Sequence, residues 1–343
     1  MSKRKLTRQQ KWRIDKKQEA YINRAEKSSL KSSELVENDL SDELEGLIIA
    51  HYGQQIEVEC SSAGELEGKS RRCYARTNLG PLVTGDRVIW RAGKEDNGVV
   101  VAIQPRTSLL SRPDKFRALK PVAANIDAIC IVIASVPEPH SNLIDRYLVA
   151  AELCDIEPVL VLNKTDLLKT DSLIPELLEG YENLGYRCIR VSANSGKQLS
   201  ALREFLAGQT SVLVGQSGVG KSSLIQALLP KEILKVGGLS EGVAKGTHTT
   251  TTARLYHLPE GGDLVDSPGI REFGLWHIEE NQLIDGFREL RKIGGHCRFR
   301  DCKHFQDPGC ALTQAVAKGD VSEARRDSYL TIRDTLDDID VIM

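Results

Sequence analysis

Nine consecutive residues, Gly215-Gln216-Ser217-Gly218-Val219-Gly220-Lys221-Ser222-Ser223, fit the pattern G-x-x-x-x-G-K-[ST]. Glycines at these positions let the backbone turn tightly, so that successive N–H groups converge on a phosphate. A helix opening at that point adds its positive end. Lys221 is then placed to reach the β- and γ-phosphates of a nucleoside triphosphate, and the Ser222 hydroxyl to ligate Mg²⁺. The apolar run TSVLV ahead of the loop and SSLIQALL at its end predict strand–turn–helix, the context that separates this motif from a chance match.

The loop alone does not select a base. Asn163-Lys164-Thr165-Asp166 follows the run EPVLVL and fits N-K-x-D. An ionised Asp166 accepts from guanine N1–H and the 2-amino group; adenine offers neither, and would leave the carboxylate unpaired. Asn163 is expected on the O6/N7 side while bracing the loop, and the Lys164 stem over a face of the base. Ser192-Ala193-Asn194, one helix and one strand later, reads as the second base loop, where a backbone N–H meets O6. Asp266-Ser267-Pro268-Gly269 fits D-x-P-G, with Asp266 holding Mg²⁺ through water and the Gly269 N–H facing the γ-phosphate. Between them, residues 246–252 (GTHTTTT) form a candidate first switch. Thr250 is favoured there as a further Mg²⁺ ligand, in a row of hydroxyls that singles none out. GTP and GDP are thus the expected ligands.

The motif order is unusual. Ras-like GTPases run from phosphate loop through switches to base loops, whereas here the base loops come first. A circular permutation assembles the same sheet if old termini are joined and a new break opens at the surface. The second switch then leads straight into the C-terminal segment, so γ-phosphate contacts can bias that segment's position. Where Ras-type enzymes orient water with Gln, this chain has Ile270, which cannot bond water, so intrinsic hydrolysis is expected to be slow. His248 is the first candidate to position the water; an exposed loop histidine is the alternative reading. Arg271 is a further candidate, read first as an ordinary charged neighbour. Gly218 stands where potassium-dependent GTPases carry Asn, which argues against a structural K⁺.

A second constellation lies downstream. Cys297-x₄-Cys302-x-His304-x₅-Cys310 offers three thiolates and one imidazole, the donor set of a closed tetrahedral zinc site with no open position for catalysis. One structural Zn²⁺ per chain is expected. A catalytic zinc and a metal-free thiol cluster are the alternatives, and His296 is the competing ligand, made awkward by its adjacency to Cys297. Arg291, Lys292, Arg298, Arg300 and Lys303 surround the cluster and would suit RNA phosphates; a solvated charged face is the equal alternative.

These residues need elements to hold them. At 343 residues the chain suits two or three domains, and 41% hydrophobic with 27% charged residues is an ordinary soluble composition. No apolar run approaches the roughly 20 residues of a membrane helix, and the polar, basic start is no secretory signal, so no membrane partner and a cytoplasmic location are expected. The net charge of −2 divides unevenly. Residues 1–31 hold eleven Lys or Arg against three acids, leaving +8 there and −10 on the remainder. This basic arm is expected to be disordered alone and to suit a polyanion, nucleic acid before membrane. From 46 to about 106, short β-like runs broken by Gly, Pro and Asn suggest a small OB-type barrel. Beyond 120, strands at 126–134, 158–162, 187–191 and 210–214 alternate with helices, as a doubly wound, mainly parallel sheet requires. Two helical stretches, 311–318 and 322–337, come after the Cys/His knot. The expected division is a basic arm and acidic linker over 1–44, an OB-fold RNA-binding barrel over 45–112, a circularly permuted α/β P-loop GTPase domain over 113–276, and a small zinc-binding helical domain over 277–343. A monomer is expected.

Barrel, then NKTD, SAN, GQSGVGKSS, THTTTT and DSPG, then CRFRDCKHFQDPGC: this series resembles the small ribosomal subunit biogenesis GTPase family (RsgA, also called YjeQ) over residues 45–340. The resemblance implies a cytoplasmic bacterial enzyme that binds the immature small subunit late in assembly and helps release maturation factors. It further implies hydrolysis stimulated by the subunit, with rRNA contacts from barrel and zinc domains. Carried over by motif, guanine reading falls on Asn163 and Asp166, and phosphate binding on residues 215–223. Zinc falls on Cys297, Cys302, His304 and Cys310, and proposed catalysis on His248.

Overall fold

A computed structural model describes residues 40–52, 55–94, 96–113, 119–229, 253–267, 278, 280–305 and 307–336. The basic arm and the expected roles of His248, Thr250, Gly269, Ile270 and Arg271 lie outside the described residues. The chain divides into two compact units, one of residues 1–82 and 87–105, the other of residues 83–86 and 106–343.

The first unit is a five-stranded barrel: β1 (Leu44–Tyr52), β2 (Gln55–Cys60), β3 (Ser70–Ala75), β4 (Arg87–Ala92) and β5 (Asn97–Ile103). The strand order is β1-β2-β3-β5-β4, and β4 pairs back onto β1, which closes the sheet. Only β3–β5 is parallel in this circuit, the connectivity of an OB fold. Alternation fills the lumen: Ile56, Val58 and Cys60 of β2 point in, as do Val88 and Trp90 of β4. Trp90 is fully buried and its indole N–H donates to the Glu45 carbonyl at 3.2 Å. Gly46 makes room for it, since a Cβ there would lie 2.7 Å from Trp90 Nε1 and 2.6 Å from Val58.

The second unit opens with a hairpin, β6 (Leu109–Pro113) and β7 (Leu119–Ala124). The main sheet comes next: β8 (Ala128–Ala134), β9 (Glu157–Asn163), β10 (Arg187–Arg190), β11 (Thr210–Val214), β12 (Arg254–His257) and β13 (Asp263–Asp266). Its order is β10-β9-β8-β11-β13-β12, all parallel except the β12–β13 pair. Every residue of β8 is buried, as a central strand covered on both faces must be. Around the sheet lie α1 (Ser141–Leu153), α2 (Ile174–Asn183), α3 (Leu199–Leu206) and α4 (Lys221–Leu228). The C-terminal part is helical: α5 (Glu280–Leu283), α6 (Ala311–Lys318) and α7 (Glu323–Asp334).

One polar face of α1 is committed to that C-terminal part. Arg325 of α7 donates to Asp145 Oδ1 and, at 2.6 Å, to Glu289 Oε1, and its guanidinium stacks 4.5 Å over the Phe287 ring. Tyr181 also donates to Asp145 at 2.6 Å. Glu152 accepts from Arg288 at 2.5 Å and Arg291 at 3.0 Å. Asp145 is 0% exposed, Arg325 and Glu289 each 8%. Burial pushes the Asp145 carboxyl up, while Arg325, Ser328 and Tyr181 oppose it. Removing one member of a buried ion network strands the others without water. Arg325→Ala is therefore expected to cost about 3–5 kcal/mol, with Asp145→Asn/Arg325→Met recovering part of it. Urea unfolding checks this; an unchanged midpoint for Arg325→Ala would show that the network contributes nothing.

Candidate nucleotide site and metal centre

In a parallel sheet, ligands gather at the carboxyl ends of the strands, where the loops leave. Here β8, β9, β10, β11 and β13 all end on one edge, and four of the five carry a motif into it. Asn163 is the last residue of β9, the glycine loop follows β11, Asp266 closes β13, and Ser192 lies two residues past β10. Adjacent strand registers, Ala134 opposite Asn163 and Ile131 opposite Val214, bring base and phosphate motifs side by side across β8.

Asn163 joins three loops. It is 1% exposed; its Nδ2 donates to the Val219 carbonyl at 3.0 Å and its Oδ1 accepts from the Ala193 N–H at 3.1 Å. The brace expected of Asn163 is present. Of the S-A-N loop, from which a backbone N–H was expected on guanine O6, the Ala193 N–H is engaged by Asn163 in this structure. Lys164 takes left-handed backbone (φ 59°), and its Nζ donates to the carbonyls of Val136 and Gly218, each at 2.7 Å. Thr165 Oγ1 donates to the Val191 carbonyl at 3.0 Å, anchoring the turn that presents Asp166. Asp166 Oδ1 accepts from the Ser192 hydroxyl at 2.5 Å, and Ser192 Oγ in turn accepts from the Ser195 N–H at 3.2 Å. The exposed Asp166 carboxylate is thus aimed by a buried serine.

The glycine loop has the backbone its composition predicts. Gly215, Gly218 and Gly220 all have positive φ. A Cβ at Gly220 would meet Asn163 Nδ2 at 2.4 Å, so the phosphate loop and the base loop can close on each other only through glycine. Gly220 is also the N-cap of α4, and Lys221 begins that helix. Lys221 Nζ curls over the loop onto the carbonyls of Gly215 at 2.5 Å and Gln216 at 2.8 Å. Gln216, Ser217, Gly218 and Val219 form the turn, and Ser222 and Ser223 lie in the first turn of α4. Asp266 is 7% exposed.

The second cluster also converges. The ligand atoms of Cys297, Cys302, His304 and Cys310 all lie within 4.8 Å of one another. His304 Nδ1 stands 3.5, 3.7 and 3.6 Å from the sulfurs of Cys297, Cys302 and Cys310. With Zn–S of about 2.3 Å and Zn–N of about 2.05 Å, the S···N edge of a tetrahedron is about 3.6 Å. Donor set and spacing therefore fit a metal such as zinc. Cys310 caps α6. Burial raises its thiol pKa, but hydrogen bonds from Thr313, His304 and Cys302 outweigh that and bring it to about 6. The Ala311 N–H donates to Cys297 Sγ at 3.3 Å. His296 bonds the Gly294 carbonyl at 3.0 Å and is not part of the cluster.

The family model of the RsgA GTPase matches residues 103–276. A small ribosomal subunit biogenesis GTPase RsgA of Hahella chejuensis is 56% identical over 344 residues, 99% of each chain. The chain belongs to the RsgA GTPase family. An RsgA GTPase is a GTP hydrolase of permuted motif order, and the solved relatives share this architecture. The crystal structure of YjeQ from Thermotoga maritima is 32% identical with a TM-score of 0.70, covering 86% of this chain and 98% of its own. That of YloQ, a circularly permuted GTPase, is 29% identical with a TM-score of 0.68, covering 87% and 96%. Among the described residues no helix is long and apolar enough to cross a membrane.

Two features escape sequence reading. The Arg325–Asp145–Glu289 network joins residues 36 and 180 positions apart with no local pattern, and the serine that aims Asp166 is 26 positions away.

Proposed function

We propose that this GTPase couples GTP hydrolysis to late maturation of the small ribosomal subunit in the cytoplasm, acting as a monomer that binds rRNA through its barrel and metal domain. Relatives over half identical are named for biogenesis of that subunit. Asn163, tying the N-K-x-D strand to both the glycine loop and the S-A-N loop, is the observation that best supports the site assignment.

In this reading Asp166 takes guanine N1–H and the 2-amino group, and Asn163 stands on the O6/N7 side. Contact between O6 and the Ala193 N–H is shared with Asn163. Lys221 leaves the loop carbonyls for the β- and γ-phosphates, while backbone N–H groups of 215–223 hold the β-phosphate. Ser222 and Asp266, with Thr250, would hold Mg²⁺, which neutralises charge between the phosphates. Gly269 faces the γ-phosphate. His248 positions the attacking water, because Ile270 cannot. Zn²⁺ on Cys297, Cys302, His304 and Cys310 is structural, since all four positions are filled by protein.

Hydrolysis by the purified protein, alone and with small or large ribosomal subunits, tests this, with Lys221→Ala as blank. Strong stimulation by small subunits alone is expected. A slow rate indifferent to subunits would leave a nucleotide-holding RNA scaffold as the better description.

A further inference from the structure

The metal loop reads Cys-Arg-Phe-Arg-Asp-Cys-Lys-His-Phe from Cys297 to Phe305, with aromatic rings and cations interleaved. Phe299 is 47% exposed and Phe305 67%. Among the described residues of the second unit, they are the exposed large aromatic side chains. A core would normally draw such rings in. Here the backbone on either side is held by the ligand cluster, and the rings stand out from it. Arg300 and Lys303 are exposed between them, and the Arg298 guanidinium lies 5.4 Å over the Phe299 ring. Asp301 is the one acid among residues 298–305. Arg300 and Lys303 also line an open groove of about 580 Å³, together with Gly294, Gly295, Tyr329 and the acids Glu280 and Asp301.

Protein interfaces favour phenylalanine and arginine but are depleted of lysine and aspartate, and this loop places Lys303 and Asp301 between its rings. Alternating rings and cations instead match a strand whose bases offer flat π faces and whose backbone offers phosphates. A duplex hides those faces in its stack. We infer that Phe299 and Phe305 are stacking faces for unpaired bases of RNA, with Arg300 and Lys303 taking the neighbouring phosphates. This rests on the proposed rRNA reading and narrows it to single-stranded nucleotides at the metal loop.

The test uses the full zinc-loaded chain and a short single-stranded RNA carrying 2-aminopurine, whose emission falls when the base stacks, with the same sequence as a duplex for comparison. Quenching with the single strand, lost in Phe299→Leu/Phe305→Leu, is the expected result, with affinity down about 5- to 100-fold. Basal GTP hydrolysis and zinc content should be unchanged in that variant, which establishes that it folds. Arg300→Ala/Lys303→Ala should instead flatten the salt dependence, lowering its slope by about 1.4. Full affinity and quenching in the leucine variant, with the charge variant weakened, would overturn stacking while leaving phosphate contact at this loop. Unchanged binding in both variants, or preference for the duplex, would also overturn it; the former would remove the metal loop from the RNA surface altogether.

Discussion

Asp166→Asn is expected to weaken GTP binding by about 10²- to 10⁴-fold and to raise affinity for xanthosine triphosphate. Two charge-assisted hydrogen bonds at about 1.5–3 kcal/mol each are at stake. The structure sharpens the expectation. The Ser195 N–H occupies Ser192 Oγ as a donor, so the serine's own proton goes to Asp166 Oδ1. An asparagine keeps its oxygen on that serine and turns its NH₂ toward the base. There it opposes the guanine 2-amino group and suits the xanthine 2-oxo group. Parallel titrations with the two nucleotides decide the matter. Equal weakening for both, with no gain for xanthosine triphosphate, would mean that Asp166 supports the loop without reading the base.

Metal removal is expected to have the largest effect on the fold. Structural zinc contributes apparent binding energies of about 10–16 kcal/mol in small metal-folded peptides, and those energies are folding energy. Here the cluster organises the two helices that come after it. Cys310 starts α6, Cys297 accepts from Ala311, and the His304 ring packs edge-on to Tyr329 of α7 at 5.9 Å. A strong chelator, or Cys302→Ser, should strip the metal and expose 297–334 to rapid amide exchange, while β8, β9 and β11 stay protected and GTP still binds. Stoichiometric zinc in the untreated protein and exchange by mass spectrometry are the measurements. Protected α6 and α7 helices after complete metal loss would show that apolar packing suffices.

One stretch of chain touches both the base loop and the C-terminal part. α1 comes directly after the segment whose Val136 carbonyl receives Lys164, and its Asp145 and Glu152 hold the C-terminal part. The contacts of the base loop and of the C-terminal part thus fall on one continuous stretch of chain, residues 136–152.

Much of this was readable in the chain itself. The strand at 210–214 and the helical stretch at 311–318 fall where the local pattern puts them, because each depends on residues adjacent in the chain. So does the positive φ of Gly215, Gly218 and Gly220, which only glycine takes without cost. The motif order alone implied a permuted sheet, since residues that meet one nucleotide must share one edge whatever their order along the chain. Tertiary structure decided the rest. β12 and the β6–β7 hairpin carry weak local pattern and exist through their partners. The closure of the barrel by β4 on β1, the serine behind Asp166 and the arginine between Asp145 and Glu289 depend on distance in space across long stretches of chain. Local sequence encodes dihedral preference and amphipathic period. It does not encode which buried charge finds which partner, because that is settled only when the elements pack and water leaves.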